Sequence, residues 1–150
     1  MSASLPVRIR LVREGASVPR YATAGSAACD LTAAIAEPIL LKAGESVSIP
    51  TGIAIAMEES GYVAIVCARS GLAFRHGLHL INGIGVIDED YRGEICVGLR
   101  NASDTDYEIA PGERIAQLMF MPCLQAAFLP VEELDETERG KGGFGSTGKF

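Results

Sequence analysis

At 150 residues the chain is long enough for one domain and too short for two comfortable ones, and with 48% hydrophobic residues it can close a core without disulfides. It has no Trp and only 6% aromatic residues, so that core must be built from Val, Ile, Leu and Ala. A formal net charge of −6 and the lack of any Lys/Arg-rich run argue against a nucleic-acid polymer or an anionic membrane as the main partner, because both need basic patches; a small anion held by a few placed cations stays open.

Taken in chain order, the N-terminal MSASLPVRIRLVREG has no apolar stretch of secretory-signal type, and no run of about 18 apolar residues follows it, which points to a cytoplasmic protein. VRIRLV (7–12) alternates with period two and puts Val7, Ile9 and Leu11 on one strand face. YATAGSAACDLTAA (21–34) gathers small residues and delivers Asp30 to the start of a strand, where a carboxylate can hold the water shell of magnesium. SVSIPTGIAIAM (46–57) reads as one strand carrying Val47, Ile49, Ile53 and Ile55, and YVAIVCA (62–68) as a short buried one. RSGLAFRHG (69–77) is the clearest helical signal, worth about two turns. GEICVGLRN (93–101) alternates through Ile95, Val97 and Leu99, and RIAQLMFM (114–121) is a further apolar strand. KAGE, EESG and APGE mark turns between them. Many short strands with frequent turns predict an all-β sandwich or barrel. Apolar residues almost stop near residue 130, so 1–130 is expected to form the β domain and 131–150 to stand outside its core, with VEELDETE (131–138) leading into the tail.

Cys29, Cys67, Cys96 and Cys123 are widely spaced, form no C-x-x-C pair and lie in apolar runs, which predicts buried free thiols.

Chemistry concentrates in a few stretches. In CARSGLAFRHGL (67–78), Arg69 and Ser70 open a helical turn; its N–H groups, a guanidinium and a hydroxyl suit an anion, although a plain N-cap at Ser70 explains the same residues. His76 and His79 have helical spacing for a metal but no clear third ligand. LINGIGVIDEDYRGEICVGLRN (80–101) looks like a β-hairpin. Asp88 and Asp90 are two apart, a spacing that lets like charges raise one carboxylate's pKa, while an acidic surface turn is the plainer reading. Asn82 carries both donor and acceptor for an amide-like base, and Tyr91 is a flat group beside the acid. In GERIAQLMF (112–120) the single polar Gln117 either caps a neighbour or faces a site.

The chain ends RGKGGFGSTGKF. Gly143 to Lys149 fits G-x-x-x-x-G-K, but no Ser, Thr or helix follows, so a P-loop is excluded by context. Glycines let backbone wrap a ligand, Arg139 offers a bidentate fork to phosphate, and Phe144 can stack on a base. Ordering eleven such residues costs roughly 10–20 kcal/mol, so the tail is expected to order only on a charged, flat ligand, or else to be an ordinary loose terminus.

AGSAACDL, ARSGLAFRHGL, NGIGVIDEDYRGE, GERIAQL and RGKGGFGSTG, in this order across residues 21–148, resemble the five motifs of the trimeric dUTPase family. The resemblance implies a distorted jelly-roll-like β-barrel with one short helix, a homotrimer with active sites between subunits, and a flexible C-terminal arm (131–150) closing a neighbour's site. It implies hydrolysis of dUTP to dUMP and pyrophosphate. Asp88 would activate water for attack at the α-phosphorus. Asn82, the backbone of Val86 and Ile87, and Cys96 would read uracil, and Tyr91 would pack under the sugar and exclude a 2′-hydroxyl. Arg69, Ser70, Gly71 and Gln117 would hold phosphates, with Gln117 also close to the chemistry. Arg139 would act as an arginine finger, Phe144 would stack on uracil, and Gly145, Ser146 and Thr147 would meet the γ-phosphate. Magnesium (Mg2+) would bridge the phosphates, with Asp30 at most an outer-shell partner through water. Lys141, and AACDL ahead of Asp30, depart from the family pattern. The alternatives are a dCTP deaminase of the same fold, whose members generally lack the GGFGSTG tail, and a non-catalytic nucleotide-binding regulator.

Overall fold

The computed structural model describes residues 4–143. Among the described residues eleven strands and one helix follow one another: β1 (Val7–Leu11), β2 (Cys29–Thr32), β3 (Ile39–Leu41), β4 (Ser46–Pro50), β5 (Ile53–Met57), β6 (Tyr62–Ala68), α1 (Ser70–His76), β7 (Leu78–Leu80), β8 (Gly85–Ile87), β9 (Cys96–Asn101), β10 (Tyr107–Ile109) and β11 (Arg114–Pro122). All strand pairs are antiparallel. They form a four-stranded sheet β2-β11-β6-β8, a three-stranded sheet β4-β9-β7, and the pairs β1-β5 and β3-β10. Short strands in several small sheets around one core give the all-β architecture expected from period two, in the jelly-roll-like form that the family resemblance implies. No helix among the described residues is long and apolar enough to cross a membrane.

The core is aliphatic, as the composition requires. Leu31, Leu41, Ile49, Ile53, Val97, Leu99, Ile109, Ile115 and Leu118 are almost fully buried, and Leu72 of α1 joins them. Among the described residues two polar side chains are buried with it, Thr51 and Asn101. Asn101 is 0% exposed; its Nδ2 donates to the Leu41 and Thr105 carbonyls at 3.1 and 2.8 Å, and its Oδ1 accepts from the Ser103 amide and hydroxyl at 3.0 and 2.7 Å. A buried amide with both ends satisfied is stable there and ties the ends of β3 and β9 to the 103–105 turn.

Several expectations change. The run 46–57 is two strands in different sheets, because Gly52 turns the chain at φ +70°, and a Cβ there would overlap Ala16. Alternation cannot reveal such a break, since the apolar rhythm continues across it. The stretch 80–101 is not a paired hairpin: β8 pairs with β6, whereas β9 pairs with β4 and β7. Cys29 is buried and Cys67 half-buried, but Cys96 and Cys123 are exposed; Cys96 starts β9 on an outward position and Cys123 follows the last strand. All four thiols are free. His76 and His79 do not share a helix, since His79 lies on β7. His76 instead stacks on Tyr107, with ring centroids 4.9 Å apart. β11 ends at Pro122, and the described residues beyond it form no helix or strand.

Candidate active site

The sheet β2-β11-β6-β8 positions most of the candidate residues. Direct partners across β2, β11 and β6 are Asp30, Gln117 and Cys67. Their neighbours Leu31, Cys29, Ala116, Leu118 and Val66 point into the core, so Asp30, Gln117 and Cys67 share the outer face. β6 ends at Ala68, and α1 begins at once. Its N-cap is Arg69, in extended conformation, with no side-chain cap; Ser70 is the first helical residue and does not cap. Gly77 closes the helix in the left-handed region at φ 66°.

Arg69 is held from two sides. Its Nη1 donates to the Arg114 carbonyl at 2.9 Å, and its Nε lies 3.0 Å from Asp30 Oδ1. That second contact is coulombic, because no N–H is aligned on the buried oxygen. Arg114 Nη1 donates to the other Asp30 oxygen at 3.2 Å. Asp30 therefore serves as the anchor of two guanidiniums, with Gln117, Ser70 and Gly71 beside them in sequence or register. Glu113 braces the same corner: it accepts the Tyr107 hydroxyl at 2.6 Å and the Ala110 amide at 2.9 Å. Burial, then the Glu113 hydrogen bond and charge, push Tyr107 up to about 12.

The second group of candidates runs from Asn82 to Cys96. Asn82 is exposed in the turn before β8, where its carbonyl accepts the Ile84 amide at 2.8 Å. On β8, Val86 faces outward at 57% exposure and Ile87 is half-buried. Asp88 follows, exposed, and among the described residues its carboxylate is in no ion pair. Its carbonyl accepts the Tyr91 amide at 3.1 Å, which closes a turn. Tyr91 folds its ring back over Gly93, where any Cβ would overlap the phenol, and donates its hydroxyl to the Glu94 carbonyl at 3.0 Å. Glu89 accepts the Gly61 amide at 2.8 Å, so the turn is pinned beside the start of β6. Cys96 opens β9 opposite Pro50.

In the arm, Arg139 is exposed and its Nε donates to the Gly142 carbonyl at 3.0 Å. Phe144, Gly145, Ser146 and Thr147 lie outside the described residues.

The sequence reading missed what braces these groups. Arg114, Glu89, Gly93 and the Arg13–Glu94 pair carry no chemistry of their own, and only their partners identify them. Among the described residues no three His, Cys, Asp or Glu side chains converge as a metal cage. Magnesium commonly keeps several waters and binds substrate phosphates, and that mode fits a site whose polar groups are arginines, a free carboxylate and an amide.

The sequence pattern of the dUTPase family matches residues 14–148. A deoxyuridine 5'-triphosphate nucleotidohydrolase of Janthinobacterium sp. (strain Marseille) is 47% identical over 146 residues, covering 97% of this chain and 98% of the relative. The protein of the same name from Desulfitobacterium hafniense (strain DSM 10664 / DCB-2) is 47% identical over 147 residues, with 97% of each chain covered. Among solved structures, the dUTPase of Staphylococcus bacteriophage 80alpha with dUpNHpp is similar at a TM-score of 0.86 and 27% identity, over 95% of this chain and 98% of that one. A dUTPase from phage phi11 of S. aureus, described with a coordinated structural Mg(II) ion, is similar in fold at a TM-score of 0.78 and 24% identity, covering 87% of this chain and 99% of that one.

Proposed function

The chain belongs to the dUTPase family, and from that premise we propose that it hydrolyses dUTP to dUMP and pyrophosphate, with Asp88 activating water for in-line attack at the α-phosphorus. The family match over residues 14–148 carries the reaction. The exposed Asp88 carboxylate, without an ion pair among the described residues, supports its assignment as base, because a general base must be free to accept a proton.

Arg69, preset by Asp30 and the Arg114 carbonyl, offers its remaining donors to phosphate oxygens, and Ser70, Gly71 and Gln117 complete that end. Asn82, the backbone of Val86 and Ile87, and Cys96 read uracil. Tyr91 packs under the sugar and leaves no room for a 2′-hydroxyl. Arg139 stabilises charge on the transferring phosphoryl group, while Phe144 covers the base and Gly145, Ser146 and Thr147 meet the γ-phosphate. Magnesium carried in with the substrate's phosphates would supply charge neutralisation there. Asp30 would meet it at most through water, since both its oxygens already face guanidiniums.

The site is assembled from more than one copy of the chain, as a homotrimer. Two observations support this. Asp88 and Arg69 leave the sheet at opposite ends of β6. Beyond Pro122, Leu124, Phe128, Leu129 and Leu134 are 96%, 89%, 83% and 84% exposed, more apolar surface than a lone chain keeps in water. The arm beyond residue 130 then closes a neighbour's site. A soluble nucleotide substrate fits a cytoplasmic enzyme.

The experiment is pyrophosphate release from dUTP, dTTP, dCTP and UTP side by side, with ammonia followed for dCTP. Pyrophosphate from dUTP alone supports the reading. Ammonia from dCTP with no pyrophosphate from dUTP replaces it by a deaminase, and binding of dUTP without turnover replaces it by a regulator.

A further inference from the structure

Tyr91 is fixed by groups that touch no substrate in the scheme above. Its hydroxyl donates to the carbonyl of Glu94 at 3.0 Å, and its ring lies over Gly93. The Glu94 side chain is locked in turn. Arg13 grips it with two parallel bonds, Nε to Oε1 at 3.0 Å and Nη2 to Oε2 at 2.8 Å, and the Gly52 amide donates to Oε1 at 2.9 Å. The next residue, Ile95, is bonded on both sides, its amide to the Ile53 carbonyl at 2.9 Å and its carbonyl to the Thr51 hydroxyl and amide at 2.6 and 3.2 Å. Two segments distant in sequence, Arg13 and residues 51–53, thus fix the Glu94 side chain and Ile95 on either side of the one carbonyl that holds the phenol. The contact is specific as well as close, since a bidentate guanidinium–carboxylate pair fixes direction in a way a single bond does not. The Arg13 guanidinium also holds the Glu94 carboxyl below the usual carboxylate range, so the clamp stays charged at neutral pH.

We propose that Arg13 and Glu94 are positioning residues for sugar discrimination: their ion pair sets the depth at which the Tyr91 ring lies against C2′ of the nucleotide, and so how strongly a ribonucleotide is refused. This rests on the reading of Tyr91 as the surface under the sugar. Rejecting one added hydroxyl is worth only about a hundredfold in a pocket that works by shape, so a small displacement of the ring removes much of it. Arg13 is well suited to a purely positional role. Its side chain is 47% exposed, and an exposed ion pair contributes roughly 0–1 kcal/mol to folding, so losing it leaves the fold intact.

The test compares kcat/KM for dUTP and UTP in the parent, Arg13→Ala, Arg13→Lys and Glu94→Gln enzymes, with thermal unfolding of each. Asp88 serves both substrates, so any shift of the base cancels in the ratio. The dUTP/UTP ratio should fall about tenfold in Arg13→Ala and in Glu94→Gln, and recover in part in Arg13→Lys, which keeps one charged donor. The fall should come with a higher KM for dUTP and a nearly unchanged kcat. An unchanged ratio in Arg13→Ala, with both substrates slowed alike, overturns the proposal, because a merely structural clamp predicts that result. Glu94→Gln keeps the acceptor for Gly52, so it reports on the charge pair even if the alanine variant unfolds. If the parent itself shows no preference for dUTP over UTP, the reading of Tyr91 fails first, and the clamp proposal fails with it.

Discussion

Asp88 and Arg69 lie at opposite ends of the same strand. The register Ala64↔Ile87 places Asp88 opposite Val63, whereas Arg69 follows the last residue of β6, six positions further on. At about 3.3 Å per residue this is about 20 Å of strand. With the roles proposed above, a water-activating carboxylate and a guanidinium gripping the same triphosphate are too far apart to come from one chain, which is the reason we propose a shared site. Asp88→Asn and Arg69→Ala chains, each nearly inactive alone, should recover activity when unfolded together and reassembled. In a cyclic trimer with the two residues supplied by adjacent chains, about a quarter of the sites in an equal mixture regain both groups. No recovery in hybrids of confirmed mixed composition would place both residues of a site on one chain.

Asp88→Asn keeps the size and the turn to Tyr91 but removes the base. Turnover of dUTP should fall by roughly 10²–10⁴, while affinity for the non-hydrolysable dUpNHpp stays close to the parent's. Unchanged turnover would refute the assignment.

Arg139 lies outside the β core, so its loss should be purely functional. Arg139→Ala should lower kcat by roughly 10³ or more with no change in the unfolding midpoint, as expected of a group acting on phosphoryl charge. Deleting residues 139–150 should leave a folded protein with little activity. Full activity in the deletion variant removes the arm from the mechanism.

Tyr107 gives a pH signature. Its folded pKa is raised from 10.0 to about 12 by burial and by the bond to Glu113. A raised value favours the neutral phenol in the fold. That stabilisation is complete below pH 10 and is lost as the pH rises towards 12. The stability gap between the parent and Tyr107→Phe should therefore narrow over that window, and one of the four tyrosines should ionise late in an ultraviolet titration. A gap that stays constant through the window counts against the burial of this phenol.

Asn101 is the counterpart in the core. Asn101→Ala removes the side-chain partner of the Leu41 carbonyl and the Ser103 amide, while the Thr105 carbonyl keeps the Ser103 hydroxyl. It should cost roughly 1–3 kcal/mol in urea unfolding, with kcat/KM of the surviving folded enzyme little changed. A loss below the error of the measurement shows that water replaces the amide.

Local patterning was enough to place most strands, because inward residues on a half-buried strand recur every second position and the run 62–68 or 114–121 has no other way to bury its apolar side chains. The same holds for α1, where Gly77 stops the helix at a left-handed residue. The proposed site residues were chosen on residue type, because a carboxylate, an arginine or an amide carries its chemistry with it. What alternation could not show is where backbone turns without a change of rhythm, so the break at Gly52 and the separation of β8 from β9 came only from the fold. It could not show bracing either. Arg13 and Glu94 are 81 positions apart and lie on the surface, and nothing local marks them as partners. Sequence determined the family pattern, the apolar rhythm of the strands and the groups proposed for chemistry. Tertiary structure decided which of them a single copy can bring together, because strand register sets distance, and register depends on contacts between residues far apart in the chain.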